Sequence, residues 1–379
     1  MKVVVAADSF KGTMSSIEVC DIIARAIRDF DDRIEVVTVP IADGGEGTVD
    51  AFLSAAGGKR IYAMVKDPLM RDVQACFGLL SDGETAVVEM AQASGIGHMA
   101  NELKPMEATT YGTGQLIKSA LDAGCKKIIL GLGGSATTDG GAGAAAALGV
   151  KFLTKDNREI PLGGGGLEFL ADIDTSGLDA RIKDTEIILA CDVDNRLCGE
   201  QGAAAVFGPQ KGATPEQVKI LDRNLMHYAR VLKTRLGIDV TGIKGGGAAG
   251  GLGVSLIAYA NARIMPGIQV VLETVKFSEI IKHADMVITG EGRIDSQTAM
   301  GKVPAGVARA CRGRGIPVVA IGGSLGQGYE AVYSEGISSV FSVVNDLVPF
   351  ETVKATCRQD LYMLIKNLFR FGSLKPGSL

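Results

Sequence analysis

The stretch that decides the fold runs from Ile128 to Gly143 and reads IILGLGGSATTDGGAG. Its apolar start at 128–130 predicts a buried strand, and the alanine-rich run from Ala142 predicts a helix. The turn between them is rich in glycine, which has no Cβ to keep an anion away from backbone N–H groups. A helix N-terminus adds unpaired N–H groups and a partial positive charge. The sequence therefore predicts a phosphate site here; a strand-to-helix turn without a ligand is the alternative.

The composition indicates a globular protein that binds small molecules. A length of 379 residues suggests two domains, at roughly 100–200 residues each. The net charge of −4 gives no general attraction to nucleic acid or an anionic membrane, and the chain has no tryptophan for base stacking. The 51 glycines cluster in loops after apolar runs, which suits close backbone contact with small ligands.

The expected location is the cytoplasm. The chain opens directly on a strand-like run at 3–7 without the features of a signal peptide, and no apolar run reaches the roughly 18 residues of a membrane span. The seven cysteines are scattered and form no CxxC pair, which fits buried thiols in a reducing compartment.

Strand-like and helix-like patterns alternate at both ends of the chain. Near the start, strands at 3–7 and 34–39 alternate with helices at 15–30 and 48–56, and the last third has the same style. This order predicts an α/β fold with a parallel sheet.

The middle of the chain has a different pattern from Asp67-Pro68 onwards. Residues 73–80 and 85–90 predict a pair of strands joined by a turn. We therefore expect one domain made from both ends, 1–67 plus 284–379, with 68–283 inserted; two consecutive domains are the alternative. The other predicted elements are helices at 113–123, 215–236 and 303–312, strands at 128–130, 186–190, 286–289 and 317–321, a hairpin at 150–160, a turn at 322–324 and a glycine loop at 245–253 that opens a helix.

Acidic residues follow four of the predicted strands. They lie in the loops Asp8-Ser9-Phe10-Lys11, Asp43-Gly44-Gly45-Glu46-Gly47, Asp192-Val193-Asp194-Asn195 and Glu291-Gly292-Arg293-Ile294-Asp295. Open α/β sheets bind ligands outside the carboxyl ends of their strands. Carboxylates there can hold Mg²⁺ together with water and phosphate, and one can accept the proton of an attacking hydroxyl. For any single acid, a helix cap is the alternative.

Basic residues belong to the same group of loops. Lys11 and Arg293 lie inside the acidic loops, Lys211 precedes a glycine and Lys302 follows one. Such side chains bind transferring phosphoryl groups and small carboxylates; the alternative for each is an exposed surface charge. The residues alone therefore indicate phosphoryl transfer or the binding of a phosphorylated ligand.

Other catalytic signatures are missing from the sequence. It has no GxxxxGK[ST], no protein-kinase set, no HExxH and no GxSxG, and its histidines have no metal or triad spacing. Gly131 to Ala136 fits the dinucleotide pattern GxGxxA weakly, and Asp156 has the spacing of the ribose-binding acid. Because Asp156 falls in a predicted turn between two short strands, an NAD-dependent oxidoreductase is the weakest alternative.

Taken together, these loops resemble those of the type-1 family of bacterial glycerate kinases. The matching segments occur in family order and cover nearly the whole chain: Asp8 to Lys11, Ala42 to Thr48, Gly133 to Gly143, Ala190 to Val193, Phe207 to Ala213, Gly247 to Gly253 and Gly290 to Thr298. The chain departs from the family pattern at Asn195-Arg196-Leu197, where we expect a proline after the asparagine. Arg196 adds a charge to that loop without changing the expected reaction class.

The resemblance implies an ATP-dependent kinase that phosphorylates D-glycerate, with 2-phosphoglycerate favoured over 3-phosphoglycerate. It implies two α/β domains, a discontinuous Rossmann-like parallel-sheet domain and an inserted flavodoxin-like domain, with the active site in the cleft between them. ATP and Mg²⁺ are the expected cofactors, glycerate and ATP are the partners, and a homodimer is left open. The main alternative is a non-catalytic sensor of a small phosphorylated or carboxylated metabolite, against which the acids argue because they would repel an anion without a metal.

The expected roles combine the resemblance with the chemistry of the loops. Asp192 follows two small residues that leave room for a ligand, so we expect it to accept the proton, with Asp295 on the metal. The expected set comprises catalytic Asp192, Lys11 and Arg293; ATP-binding Gly133, Gly134, Ser135, Thr137, Thr138 and Lys211; substrate-binding Asp8, Ser9, Asp43 and Lys302; and metal-binding Asp295 and Glu291.

Overall fold

The computed structural model describes residues 1–41, 45, 47–99, 102–346 and 349–373. Its strands in chain order are β1 (Lys2–Ala7), β2 (Glu35–Thr38), β3 (Gly58–Lys66), β4 (Asp72–Leu80), β5 (Thr85–Glu89), β6 (Lys127–Gly131), β7 (Lys151–Leu153), β8 (Asp172–Asp174), β9 (Glu186–Ala190), β10 (Arg263–Met265), β11 (Met286–Ile294), β12 (Val318–Leu325) and β13 (Ser339–Ser342).

The helices connect these strands. In chain order they are α1 (Ser16–Arg28), α2 (Thr48–Ala56), α3 (Ala91–Ser94), α4 (Tyr111–Asp122), α5 (Ala142–Ala147), α6 (Ala203–Phe207), α7 (Pro215–Leu236), α8 (Leu252–Ala260), α9 (Gly267–Thr274), α10 (Phe277–Ile280), α11 (Val303–Arg312) and α12 (Phe350–Gly372). Within the part of the chain that the structure describes, no helix combines the length and the apolar character of a membrane span.

Helix α7 shows how local sequence signals set the bounds of an element. The Thr214 hydroxyl accepts a hydrogen bond from the Gln217 N–H at 3.3 Å, and the Gln217 side chain accepts one from the Thr214 N–H at 3.0 Å. Pro215 occupies the first turn, where its missing N–H is not needed, and Gly237 caps the C-terminus. The predicted bounds of 215–236 are therefore confirmed.

Contacts within the chain divide it into two compact units. The first unit comprises Met1–Asp43, Asp50–Gly57 and Ile268–Leu379, and the second comprises Gly44–Val49 and Gly58–Gly267. Strand β3 falls into the second unit because it pairs with β4 along its whole length, and residues 268–283 fall into the first. The boundaries of these two units therefore differ from the domain boundaries expected at 67/68 and 283/284. That the two units are separate domains stays a prediction.

The first unit contains a five-stranded parallel sheet with the order β13-β12-β11-β1-β2. Val3, Val4 and Val5 of β1 have no exposed surface, as expected for a parallel strand that is covered on both faces. Apolar side chains of α1 and α12 complete the core around Val3 and Val5. The core therefore holds the carboxyl end of β1 in a fixed place.

The second unit contains a six-stranded mixed sheet with the order β10-β9-β6-β5-β4-β3. Strands β3, β4 and β5 are antiparallel neighbours, while β5, β6, β9 and β10 run parallel. Strands β7 and β8 form a separate antiparallel pair, and an isolated bridge joins Leu153 to Glu159 where a hairpin at 150–160 was expected.

The expected α/β class is confirmed, but the flavodoxin-like strand order occurs in the first unit and not in the second. Counted along the first unit, the strand order is 2-1-3-4-5, which is the flavodoxin-like order that we expected for the inserted domain. In the second sheet the strands lie side by side in chain order, and this order does not reverse at any point. The antiparallel pair β3–β4 forms one edge of that sheet.

Strands β11 and β12 are longer than the sequence predicts. They pair in parallel as far as Ile294 and Leu325, through the turn expected at 322–324. Glu291 and Arg293, which we expected in a loop, are therefore strand residues.

Helices α4 and α5 approach each other closely at a glycine. A Cβ on Gly114 would lie 2.3 Å from the Ala144 carbonyl oxygen and 2.8 Å from the Ala147 Cβ. This approach brings Thr110, which precedes α4, to the first turn of α5, where its hydroxyl accepts the Ala144 N–H at 2.9 Å.

We expect Gly114→Ala to lower the free energy of unfolding by about 1–3 kcal/mol, because the added methyl forces the two helices apart. Equilibrium denaturation measures this loss. Gly97→Ala is the matched control, since a Cβ there meets nothing within 4 Å. Equal losses in the two variants would contradict the packing argument.

Candidate active site

The first unit brings several predicted residues to the topological switch of its sheet. The chain order of the strands reverses between β1 and β11, and doubly wound sheets bind ligands at that point. Asp8 follows β1, and its backbone N–H donates to the Gly290 carbonyl at 2.9 Å. A Cβ on Gly292 would lie 3.1 Å from the Lys11 backbone nitrogen. The loop that carries Asp8, Ser9 and Lys11 therefore lies directly against the strand that carries Glu291.

Glu291 is a buried acid of this region, and it and Asp8 each have 6% of their surface exposed. The Glu291 carboxylate accepts a hydrogen bond from the Thr298 hydroxyl and lies 3.6 Å from the Lys302 ammonium. Burial raises the pKa of Glu291 above its ordinary value, although the Thr298 hydrogen bond and the Lys302 charge act in the opposite direction. Thr298 also accepts the Asp295 N–H at 3.0 Å, so one hydroxyl connects both acids.

Asp295 and Arg293 form the more exposed part of the same region. The Arg293 Nε lies 3.5 Å from an Asp295 oxygen, and Arg293 is largely exposed. The other Asp295 oxygen accepts the Gln297 N–H at 3.0 Å, and this contact orients the carboxylate.

The acids of this region fit one type of magnesium site. No group of three or more His, Cys, Asp or Glu side chains that could hold a metal ion occurs within the described ranges. Magnesium is commonly bound by one or two carboxylates, with water and substrate phosphates as the other ligands. Glu291 and Asp295 could supply the two carboxylates of such a site. The Asp295 side chain is 20% exposed, so water and a substrate phosphate can reach it.

In the second unit, Asp139 determines the structure of the glycine-rich turn. It has no exposed surface. Its carboxylate accepts hydrogen bonds from the Thr109 hydroxyl, the Thr110 N–H and hydroxyl, and the N–H groups of Gly141 and Gly143. The expectation of unpaired N–H groups at the start of α5 is therefore wrong, because an internal carboxylate occupies the place that we expected for phosphate.

The outer part of the turn has a different environment. Gly134 is exposed and has a φ of 73°, which favours glycine. Its carbonyl accepts the Ile96 N–H at 2.9 Å, and the Ala136 N–H donates to Ser94 at 3.0 Å. These bonds flank an antiparallel bridge between Ser135 and Gly95. In a bridge of this kind, the Ser135 N–H points away from the partner strand.

The inner part of the turn is closed to solvent. Thr137 and Thr138 have no exposed surface, and 2% of Lys211 is exposed. The Lys211 ammonium donates to the Thr137 carbonyl at 2.6 Å. The hydroxyls of both threonines have no hydrogen-bond partner among the described residues. The predicted ATP-binding residues therefore divide into a partly exposed set, 133–135, and a buried set of Thr137, Thr138 and Lys211.

Asp192 lies just beyond the carboxyl end of β9 and is exposed. One of its oxygens accepts the Gly267 N–H at 2.8 Å. Nearby, the Asn195 carbonyl accepts the Gly247 N–H at 2.8 Å, and a Cβ on Gly247 would lie 2.2 Å from the Arg196 oxygen. The loop with the unexpected Arg196 therefore packs against the second glycine-rich loop through its backbone.

The sequence also singled out Asp43 and Asp156. Asp43 lies outside the described residues. Asp156, the acid required for an NAD site, lies in an exposed turn with its carboxylate 3.3 Å from Arg158.

Sequence reasoning missed several polar residues that organise these regions. Thr110 and Thr298 carry no motif of their own, and Asp139 was noticed only as part of the glycine-rich stretch. Glu89 is buried at the end of β5 and accepts the Val49 N–H at 2.7 Å, near the start of α2. An acid at the end of a strand with three consecutive apolar residues, Ala86 to Val88, was the available signal for Glu89.

We expect Asp139→Asn to lower the free energy of unfolding by on the order of 3 kcal/mol, because an amide group would face N–H donors in a buried site. Chemical denaturation followed by circular dichroism measures this loss. Asp156→Asn makes the same change at an exposed turn and should leave stability within about 0.5 kcal/mol of the wild type. A folded Asp139→Asn protein with wild-type stability would show that Asp139 does not hold the turn.

Comparison with known proteins identifies the family. The model of the glycerate kinase family matches residues 3–373. A glycerate kinase of Halalkalibacterium halodurans is 50% identical over 343 residues, which cover 90% of each chain. The glycerate 2-kinase of Escherichia coli is 47% identical over 348 residues, 92% of this chain and 91% of that one. A crystal structure from Salmonella typhimurium LT2, of a protein assigned as glycerate kinase 2, matches with a TM-score of 0.89 and 43% identity over 98% of this chain and 99% of that one. On these grounds the chain belongs to the glycerate kinase family.

Proposed function

We propose that this enzyme transfers the γ-phosphoryl group of ATP to D-glycerate and forms 2-phosphoglycerate. Membership of the family supports the reaction, and the name of the Escherichia coli relative, glycerate 2-kinase, supports the position of the phosphoryl group. The observation that carries the proposal is the group of acids and cations at the topological switch of the first sheet. Phosphoryl transfer depends on positioning and on positive charge, and both are available there.

For glycerate we propose contacts with Asp8, Ser9, Asp43 and Lys302. Lys302 precedes the ten-residue helix α11, so its ammonium and the helix N-terminus both attract a carboxylate. Asp8 and Ser9 supply hydrogen-bonding groups for the hydroxyls. The role of Asp43 rests on the sequence alone.

For the metal we propose Glu291 and Asp295 as ligands. Bound Mg²⁺ supplies charge that stabilises the phosphoryl oxygens during transfer. Lys11 and Arg293 are both exposed beside these acids, and we propose that they bind the same phosphoryl oxygens.

For ATP we propose that the phosphates bind at the turn of Gly133, Gly134 and Ser135. The exposure of Gly134 and the direction of the Ser135 N–H support this placement. Thr137, Thr138 and Lys211 belong to the same proposed set, and their burial suits a role beneath the turn. The placement of the active site in a cleft between two domains stays a prediction.

For the proton we propose Asp192 as acceptor. The Gly267 N–H fixes one carboxylate oxygen at 2.8 Å and so sets the orientation of the group. An oriented carboxylate can hold the glycerate hydroxyl and accept its proton as the phosphoryl group arrives.

The cytoplasmic location is also a proposal. It is supported by the seven cysteines, which are all free. A homodimer stays a prediction.

Incubation with ATP, Mg²⁺ and D-glycerate should release ADP, and phosphorus NMR of the product identifies the acceptor hydroxyl. Phosphorus on the 2-oxygen couples to a single proton and gives a doublet, whereas phosphorus on the 3-oxygen couples to a pair of protons and gives a triplet. We expect the doublet, and no ADP release in excess EDTA. A triplet would contradict the 2-position, and full activity in EDTA would contradict the metal. A folded protein that binds ATP but releases no ADP with glycerate would favour the sensor.

Substitution of the two candidate acids separates proton acceptance from metal binding. We expect Asp192→Asn to lower kcat by roughly 10²–10⁴-fold with little change in KM for ATP, at every Mg²⁺ concentration. Asp295→Asn should regain part of its activity as Mg²⁺ is raised. Asp194→Asn is the matched control in the same loop and should stay close to wild type. If Asp192→Asn keeps wild-type kcat while Asp295→Asn is inactive at high Mg²⁺, the roles are reversed.

A further inference from the structure

Lys211 is the cation of the proposed ATP-binding set, and it is buried. It belongs to the short turn Pro209–Lys211 that precedes α7, and 2% of its surface is exposed. Burial lowers the pKa of Lys211 to about 7, although the negative charge of Asp139 acts in the opposite direction. A lysine in such a place is costly for folding unless its ammonium group has good partners.

The partner of Lys211 is a backbone atom of the glycine-rich turn. Its Nζ donates to the Thr137 carbonyl at 2.6 Å, across 74 positions of sequence. The backbone of Gly250 also packs closely against this carbonyl: a Cβ at position 250 would lie 1.9 Å from the Thr137 oxygen. The Lys211 ammonium therefore acts on the inner part of the turn and not at its exposed surface.

The turn that carries Lys211 is itself firmly held. The Lys211 N–H donates to Gly208 and the Ala213 N–H donates to the same carbonyl, both at 3.0 Å. The chain continues into α7 through the capping box of Thr214 and Gln217. Lys211 thus projects from a rigid base, which suits a residue that fixes the position of another segment.

We propose that Lys211 is a positioning residue for ATP binding: through the Thr137 carbonyl it holds the exposed turn of Gly133, Gly134 and Ser135 in the shape that accepts the phosphates. The proposal rests on the proposed placement of ATP at that turn. Lys211 then contributes to nucleotide affinity without touching the nucleotide, and it has no part in glycerate binding.

Lys211→Met tests this directly, because it keeps an unbranched apolar side chain and removes the donor. We expect KM for ATP to rise by roughly tenfold, as for the loss of a buried hydrogen bond. KM for glycerate and kcat at saturating ATP should change much less. Lys211→Gln retains an N–H donor and should restore part of the affinity. Lys219→Met is the matched control on the exposed surface of α7 and should behave as wild type.

A thermal unfolding curve shows whether each variant is folded. If Lys211→Met does not fold, Lys211→Gln decides the question: its KM for ATP should lie above the wild-type value by less than roughly tenfold. A folded Lys211→Met protein with wild-type KM for ATP would overturn the proposal. An equal rise in KM for glycerate, or a loss confined to kcat, would also overturn it, since a general structural defect or a catalytic role would then be the cause.

A further variant separates this proposal from the placement of ATP. Gly134→Val should raise KM for ATP, while Gly124→Val, at a positive φ of 86° with nothing within 4 Å of its Cβ, should not. If Gly134→Val has no effect, the placement of ATP fails. If it raises KM for ATP and Lys211→Met does not, the placement stands and the role of Lys211 is wrong.

Discussion

The structure of the glycine-rich turn depends on the buried carboxylate of Asp139. It accepts N–H and hydroxyl groups from residues 109–110 and from 141–143, and so ties the start of α4 to the start of α5. A buried charge without such partners would be strongly unfavourable. Because Asp139 occupies the helix N-terminus, a phosphate has no place there. We propose that a nucleotide binds at the partly exposed residues 133–135, and that the Lys211 hydrogen bond to the Thr137 carbonyl supports them from within.

Glu291 is a buried acid of the first unit, and its environment differs from that of Asp139. Five N–H and hydroxyl groups donate to the Asp139 carboxylate, whereas Glu291 accepts from the Thr298 hydroxyl and lies 3.6 Å from the Lys302 ammonium. Burial accordingly raises the pKa of Glu291. A carboxylate that accepts few hydrogen bonds keeps oxygen lone pairs with which it can coordinate a cation. This contrast is the reason that we propose Glu291, and not Asp139, as a metal ligand.

Local signals in the sequence predicted the elements better than their arrangement. The helix expected at 215–236 and the strand expected at 186–190 are α7 and β9 of the structure. The pairing of β3 with β4 and the extension of β11 and β12 depend on contacts between segments that the sequence pattern does not relate to each other.

The candidate site could be predicted from the sequence only in part, for the same reason. The glycine-rich stretch was recognised, but its division into an exposed and a buried half depends on Thr110, Lys211 and Gly250, which lie far away in sequence.

Hydrogen–deuterium exchange at single backbone amides, with and without an ATP analogue, tests the central claim most directly. The account predicts that the N–H groups of Gly141 and Gly143 are protected in the free protein, because Asp139 already binds them, and that the nucleotide leaves their exchange unchanged. It predicts that the amides of 133–135 exchange rapidly in the free protein and become protected on binding. Protection of Gly141 and Gly143 only after the nucleotide is added, with no change at 133–135, would contradict the account.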